Sequence, residues 1–223
     1  DVSGLYSQLS SIAVDGAGRI WTLDSDKAFI QSFTPTDYAT EIYKALTYAH
    51  KHQLPICILG GGSNVIFTED YSGLLLLIES KGIQLLSESD NEVIVRVEAG
   101  EVWDDFLRHC LKQQWYGLEN LAIIPGTVGA APIQNIGAYG VELCDLFVSL
   151  QAIDIDTGET LELDRKQCEF GYRNSIFKQA YKDRYLITHV CLRLSKQAKT
   201  HIQYPALAQA LGDRTPTPEL VGE

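Results

Sequence analysis

Residues 123–140 read IIPGTVGAAPIQNIGAYG, and the organisation of the chain follows from them. The stretch carries Gly126, Gly129, Gly137 and Gly140, together with Pro125 and Pro132 and no charged side chain. Glycine admits positive φ and close approach of another group, while proline removes a donor and fixes its own φ. A regular helix is therefore not expected here, and a shaped main-chain surface is. The amides of Gly126, Thr127, Val128, Gly129, Gly137 and Ala138 are expected to be free to face a ligand. Two shorter runs belong with it: GGGSN at 60–64, directly after the apolar ICIL, and FGYRNS at 170–175. A glycine triplet by itself is commonly a plain loop, so the argument rests on the three runs in this order.

These runs, with GLENLA at 117–122 and YGVEL at 139–143, closely resemble the UDP-N-acetylenolpyruvoylglucosamine reductases (MurB) from about Pro55 to Tyr204. The resemblance implies an α+β fold of the FAD-binding PCMH type, like vanillyl-alcohol oxidase, in which two α+β subdomains clamp the cofactor. GGGSN is not the G-x-G-x-x-G of Rossmann folds, in keeping with that architecture. The resemblance also implies FAD as cofactor, NADPH as co-substrate and a UDP-sugar enolpyruvyl ether as substrate. The activity it implies is reduction of UDP-N-acetylenolpyruvoylglucosamine to UDP-N-acetylmuramate in peptidoglycan precursor synthesis. Two alternatives stay open: a noncatalytic or degenerate FAD-binding fragment, and another FAD-linked oxidase of the same fold. A covalent flavin link through His or Cys would favour the oxidase, and no His lies near either glycine loop.

Backbone amides in a concave nest bind a diphosphate without needing a buried lysine. Leu59, Gly60, Gly61, Gly62, Ser63 and Asn64 are expected to form one wall of the cofactor site, with the Ser63 hydroxyl and the Asn64 amide as added donors. The other wall is expected from Ile124, Pro125, Gly126, Thr127, Gly129, Ala130, Ala131, Ile133, Gln134, Asn135, Gly137, Ala138 and Tyr139. A buried structural loop is the alternative for that second wall.

By resemblance, Arg173 of GYRNS is the catalytic arginine, which meets the negative charge that builds toward the substrate carboxylate. A guanidinium does this bidentately, as lysine cannot. The alternative is a salt bridge to Glu169 or Asp183. Tyr172 and Tyr204 match substrate-binding positions, although Pro205 departs from the family pattern beside Tyr204. A proton-donating serine and a partner glutamate are expected beyond residue 223, and the short Asn-Thr segment usual near the family's amino terminus is not evident.

A formal charge of −11 argues against nucleic acid or an anionic membrane as partner, because both select a positive surface. Between Arg165 and Arg184, however, six basic residues stand against two acidic ones. That excess suits a small polyanion and equally a solvated face, and Lys178, Lys182 and Arg184 are expected to steer ligands. The run LLLLI at 74–78 is too short to span a bilayer, and the chain opens with neither a basic stretch nor an apolar signal segment, so a cytoplasmic protein is expected. Five cysteines without a C-x-x-C pair read as reduced core residues, and the histidines show no metal-ligand spacing.

Residues 1–33 are the least legible, with a turn at Asp15–Gly18 between apolar pieces able to form two strands. Thr34 and Pro35 are expected to open a helix that runs to about His52 with Tyr38, Ile42, Ala45, Leu46 and Ala49 on one face. Strands are expected over 56–59, 74–79, 83–86, 93–97 and 185–194, a helix over 102–114, and a hairpin of 146–155 with 160–163. Residues 1–80 are expected to form a first FAD-binding subdomain, 81–213 a second, and 214–223 the start of a substrate domain, capped by Thr217 and Pro218.

Overall fold

The computed structural model describes residues 9–14, 20–24, 29–33, 38–68, 70–212 and 214–222, with side chains from residue 40 onward. The expected Asp15–Gly18 turn and the Thr34–Pro35 helix opening lie outside these residues. Pro55 leads into β4 (Ile56–Leu59), which lies parallel to β5 (Leu74–Leu77) in the register Ile56↔Leu74 to Leu59↔Leu77. Parallel neighbours need a crossover of a dozen or more residues, usually a helix. Here the crossover is an irregular loop that starts with the glycine triplet, and a long loop of that kind inside a compact fold is commonly functional.

Three further strands complete the first sheet: β1 (Leu9–Val14), β2 (Ile20–Asp24) and β3 (Phe29–Phe33), in the order β3-β2-β1-β5-β4. The sequence suggested at most two strands here. β1 and β2 stand on either side of 15–18, where the sequence suggested them; the third, β3, pairs with β2, and β1 joins the sheet beside β5, far away in sequence. Helix α1 (Tyr38–Lys51) packs Ile42, Ala45, Leu46 and Ala49 onto Leu74 and Leu76, the face its 3.6-residue spacing dictates.

The second sheet is antiparallel throughout, in the order β11-β10-β12-β7-β6. Its strands are β6 (Ile83–Glu88), β7 (Glu92–Glu98), β10 (Phe147–Asp154), β11 (Thr160–Asp164) and β12 (Tyr185–Ser195). In β7, Val93, Val95 and Val97 are fully buried and face α2 (Trp103–Lys112), whose Trp103, Phe106, Leu107 and Cys110 fill the main core. Burying each of the larger side chains is worth about 1.5–3 kcal/mol. All five cysteines are free; burial pushes the Cys110 thiol far up and Cys168 to about 12, so both remain protonated packing groups. The β10–β11 turn is tied by Asp154, whose Oδ1 accepts from the amides of Asp156 and Thr157. Burial raises the Asp154 carboxyl, but the Arg184 guanidinium at 2.8 Å and those two amides outweigh it and hold it below the ordinary carboxylate value.

The sheets meet where the chain passes from one to the other. The Ile78 amide extends the first sheet by donating to Leu59 O, the Ala99 amide extends the second by donating to Thr188 O, and between them the Gly100 amide donates to Ser80 Oγ. A Cβ on Gly100 would lie 2.4 Å from the Glu79 backbone, so only glycine permits this crossing. The smaller core mixes both units: Ala99, Ile153, Ile155 and Leu186 join the residues under α1.

Two short helices follow β12. Pro205 opens α3 (Pro205–Leu211), a helix the sequence did not suggest. Thr217 Oγ1 caps α4 (Pro218–Val221) by accepting from Leu220 N at 3.2 Å, and packing against the 3-10 turn Glu119–Leu121 holds this single turn in place. No helix among the described residues is long and apolar enough to cross a membrane.

Candidate functional site

The two glycine-bearing bends face each other. A Cβ on Gly60 would meet Thr127 Oγ1 at 2.5 Å, one on Gly61 would lie 3.6 Å from Gly126 Cα, and one on Gly126 would lie 3.5 Å from Ser63 Oγ. Gly62 has φ +67°, a left-handed conformation that turns the loop back after β4. None of the amides from Gly60 to Asn64, nor those of Gly126 and Thr127, donates a hydrogen bond to another described residue. Exposed donors on two apposed loops form an anion-binding nest.

Between the bends runs a cleft with two adjoining lobes. The first, of about 280 Å³, is lined by Leu59 through Val65 on one side and by Ile124–Thr127, Ala130, Ala131, Ile133, Gln134 and Ile136 on the other. Trp103 closes its base, with the indole Nε1 donating to Leu121 O at 2.9 Å, and Lys178 is the one charged residue lining it among the described residues. The second lobe, of about 370 Å³, shares Ile58, Leu59, Gly60, Thr127, Ala130 and Ile133 with the first and adds Gly129. Its far side is aromatic, made of Tyr71, Phe177, Tyr181 and Tyr185, and its one charged lining residue among the described residues is Asp183. Burial and then Asp183 push the Cys57 thiol up, so this half-buried cysteine is a poor nucleophile.

The second wall is more regular than its sequence suggested. Val128–Gln134 forms a seven-residue 3-10 helix that includes Pro132. Two amides expected to face a ligand do not: Val128 N donates to Glu101 O at 2.9 Å and Gly129 N to Ala99 O at 2.8 Å. They are buried against the chain between β7 and α2, where an unpaired donor would be costly. Asn135, Gly137, Ala138 and Tyr139 line neither lobe. Asn135 is wholly buried and works as a bracket: its Nδ2 donates to Glu142 Oε2 and Gly171 O, both at 3.0 Å, and its Oδ1 accepts from Cys144 N. Gly137–Ala138 and Val141–Glu142 form a small hairpin, β8 and β9, whose tip is Tyr139 at φ +48° and Gly140 at φ +83°. Positive φ at both central residues is the tight turn that suits a two-residue hairpin loop.

GLENLA supports that region from below. Glu119, almost fully buried, accepts from Gly117 N, and burial raises its carboxyl. Asn120 Nδ2 donates to Tyr139 O and His201 O. Tyr139 and Tyr204 stack edge to face, 5.5 Å between centroids, outside the cleft.

Arg173 and Tyr172 sit on an exposed tight loop closed by Gly171 N to Asn174 O and Asn174 N to Gly171 O. Neither lines a lobe. Arg173 has φ +51°, and among the described residues its guanidinium forms no ion pair with Glu169 or Asp183. The loop is nonetheless fastened to the cleft wall: Ser175 Oγ donates to Ile133 O at 2.7 Å, and Lys178 Nζ donates to Arg173 O at 3.2 Å. Of the other basic residues, Arg184 is taken up by Asp154 and Arg165 stands 3.9 Å from Asp145.

Residues 33–164, more than half of the chain, match the family described as "FAD binding domain". The chain belongs to that family. It is similar to the UDP-N-acetylenolpyruvoylglucosamine reductases of Pseudomonas fluorescens strain Pf0-1 and Pseudomonas aeruginosa strain PAO1. The first is 44% identical over 191 residues, 84% of this chain and 56% of the relative; the second is 48% identical over 171 residues, 77% and 50%. The chain spans about half the length of these curated relatives. Among solved structures, the reductase (MurB) of Thermus caldophilus superposes with a TM-score of 0.59 at 18% identity, over 91% of this chain and 68% of that one. A solvent-stable cholesterol oxidase gives 0.57 at 16%, over 85% and 38%. The fold is thus the α+β FAD-binding architecture shared by the reductase and the oxidase families. The residues present fit FAD: uncommitted amides and one ammonium suit a diphosphate, and the apolar and aromatic lining suits its flat rings.

Sequence reasoning missed Trp103, whose spacing marked only a helix, and the second lobe. Tyr71 there comes from the loop between β4 and β5, whereas Phe177, Tyr181 and Tyr185 come from β12 and the segment before it, which pairing with β10 and β7 brings to the cleft.

Proposed function

We infer that this chain is the FAD-holding portion of a UDP-N-acetylenolpyruvoylglucosamine reductase, an FAD-dependent oxidoreductase that uses NADPH to form UDP-N-acetylmuramate for peptidoglycan synthesis. The names of the relatives at 44–48% identity support this, and the observation that carries it is the pair of apposed glycine bends with uncommitted amides. The amides of Gly60–Asn64, Gly126 and Thr127 bind the cofactor's diphosphate, and the Ser63 and Asn64 side chains add donors. FAD held there would supply the hydride-transfer chemistry between NADPH and the enolpyruvyl group. Trp103 and the apolar wall Ile124–Ile136 exclude water from that end of the cleft. Arg173, whose guanidinium has no ion pair among the described residues, meets the charge that develops at the substrate carboxylate, and Tyr172 and Tyr204 contact the substrate from the exposed side.

The proposal includes a cytoplasmic location, FAD-binding subdomains at 1–80 and 81–213, and a substrate domain beginning at 214–223. The test is to purify the chain, record bound flavin by absorbance, and mix anaerobically with NADPH and then with the enolpyruvyl sugar nucleotide. Flavin that bleaches with NADPH and recovers with the sugar nucleotide supports the whole proposal. A yellow but inert protein leaves only FAD binding, and a protein that takes up no FAD overturns it.

A further inference from the structure

We propose that Lys178 is a positioning residue that couples occupancy of the cleft to the conformation of the Arg173 loop. This rests on the proposal that the cleft holds FAD.

Lys178 ends the 3-10 turn Ile176–Lys178, which begins at Ser175. Ser175 is fully buried, accepts from Phe177 N and donates to Ile133 O on the cleft wall, so the base of the lysine is fixed relative to that wall. From there the residue lines the first lobe as its sole charged group among the described residues, and its Nζ reaches Arg173 O at 3.2 Å. An ammonium has three donors. One is spent on Arg173, and the others are available to an anion lying on the Gly60–Asn64 amides.

Arg173 needs such an anchor. It holds φ +51°, a conformation that costs a non-glycine residue on the order of 1 kcal/mol. Its guanidinium has no ion pair among the described residues, so the side chain does not hold the backbone in that state. The paired main-chain bonds of Gly171 and Asn174 close the turn, and the hydrogen bond from Lys178 ties the Arg173 carbonyl itself to the cleft. An anion in the lobe orders the lysine, and the ordered lysine holds the carbonyl of Arg173. Filling the cleft therefore holds the Arg173 end of the turn that presents the guanidinium, and emptying it frees the Arg173 carbonyl while the turn stays closed at Gly171 and Asn174.

The test uses the exposed Arg173–Asn174 bond as reporter. Wild type, K178M, which keeps the length of the stem without the charge, and K178R are each titrated with FAD by fluorescence. Each is then digested briefly with trypsin, with and without saturating FAD, and cleavage after Arg173 is counted by mass spectrometry. FAD is expected to slow that cleavage about tenfold in wild type and in K178R, and by less than about twofold in K178M. The dissociation constant of K178M should rise about tenfold, the equivalent of one charge-assisted hydrogen bond. Equal protection by FAD in wild type and K178M overturns the coupling, as does weaker binding in K178M with protection retained at saturation. Failure of K178R, correctly folded by its thermal melt, to restore protection also overturns it. A wild-type chain that binds no FAD instead refutes the cofactor assignment itself.

Discussion

Gly60→Ala is the most informative perturbation of the cleft. Gly60 has no left-handed φ, so alanine brings no backbone strain, and by restricting the unfolded chain it should contribute about 0.4–1 kcal/mol of stability. Against this, the new methyl would lie 2.5 Å from Thr127 Oγ1 and 3.2 Å from Ala130 Cβ. Ordinary contact is about 3.5–4 Å, so the bends must part by roughly 1 Å or Thr127 must leave its rotamer, at about 1–3 kcal/mol. The net expectation is a loss of about 0.5–2 kcal/mol by urea denaturation, with FAD affinity reduced about tenfold as the nest opens. Thr127→Ala removes the offending oxygen. In the double mutant the two losses should therefore not add, and a cycle should show a coupling of about 1 kcal/mol in the relieving direction. Wild-type stability and affinity in Gly60→Ala, or strict additivity in the double mutant, would refute the claim that these bends touch.

Four other outcomes follow from the same geometry. Gly100→Ala should cost about 3 kcal/mol or prevent folding, because its Cβ meets the Glu79 backbone at 2.4 Å, whereas Gly140→Ala, with open space and only its φ of +83° to strain, should cost about 1 kcal/mol. Asn135→Ala should lose about 3 kcal/mol in urea denaturation by leaving the buried Cys144 N without its partner and removing the bonds that Nδ2 gives to Glu142 and Gly171 O. His189 is held at about 4, first by burial and then by Arg96. A base whose folded pKa lies below its unfolded 6.5 gives stability that is complete above pH 6.5 and lost as pH falls toward 4. For a half-buried ring this is about 1–2 kcal/mol after solvent screening, and His189→Gln should flatten that part of the pH–stability curve. Arg173→Ala, placed in a full-length enzyme, should leave FAD bound and slow substrate reduction at least about a hundredfold, the loss of some 3 kcal/mol of charge stabilisation; near-normal turnover would remove Arg173 from the mechanism.

Local pattern carried a good deal of this fold. The helical spacing of Ile42, Ala45, Leu46 and Ala49 located α1, Asp156–Glu159 marked the β10–β11 turn, and Thr217 with Pro218 opened α4 as expected. These features depend on neighbours a few residues apart. What the sequence hid depends on distant partners. The pairing of β1 with β5 was not legible, the amides of Val128 and Gly129 are consumed by Glu101 and Ala99, and Tyr139 is carried off at the tip of a hairpin. Asn135 shows the difficulty most clearly. Its motif marked it as a cofactor contact, yet its side chain braces the Arg173 loop, and nothing in its immediate neighbours distinguishes the two roles. Lys178 is the converse, a lysine in a basic run whose place in the cleft depends on the turn capped by Ser175.

The central claim is that main-chain donors of both bends grip one ligand. Backbone amide NMR of the chain during titration with FAD tests it directly. The account predicts that Gly60–Asn64 and Gly126–Thr127 shift together along one binding curve, while the internally bonded amides of Val128 and Gly129 move little. Shifts confined to one bend, or two bends titrating with different affinities, would contradict it.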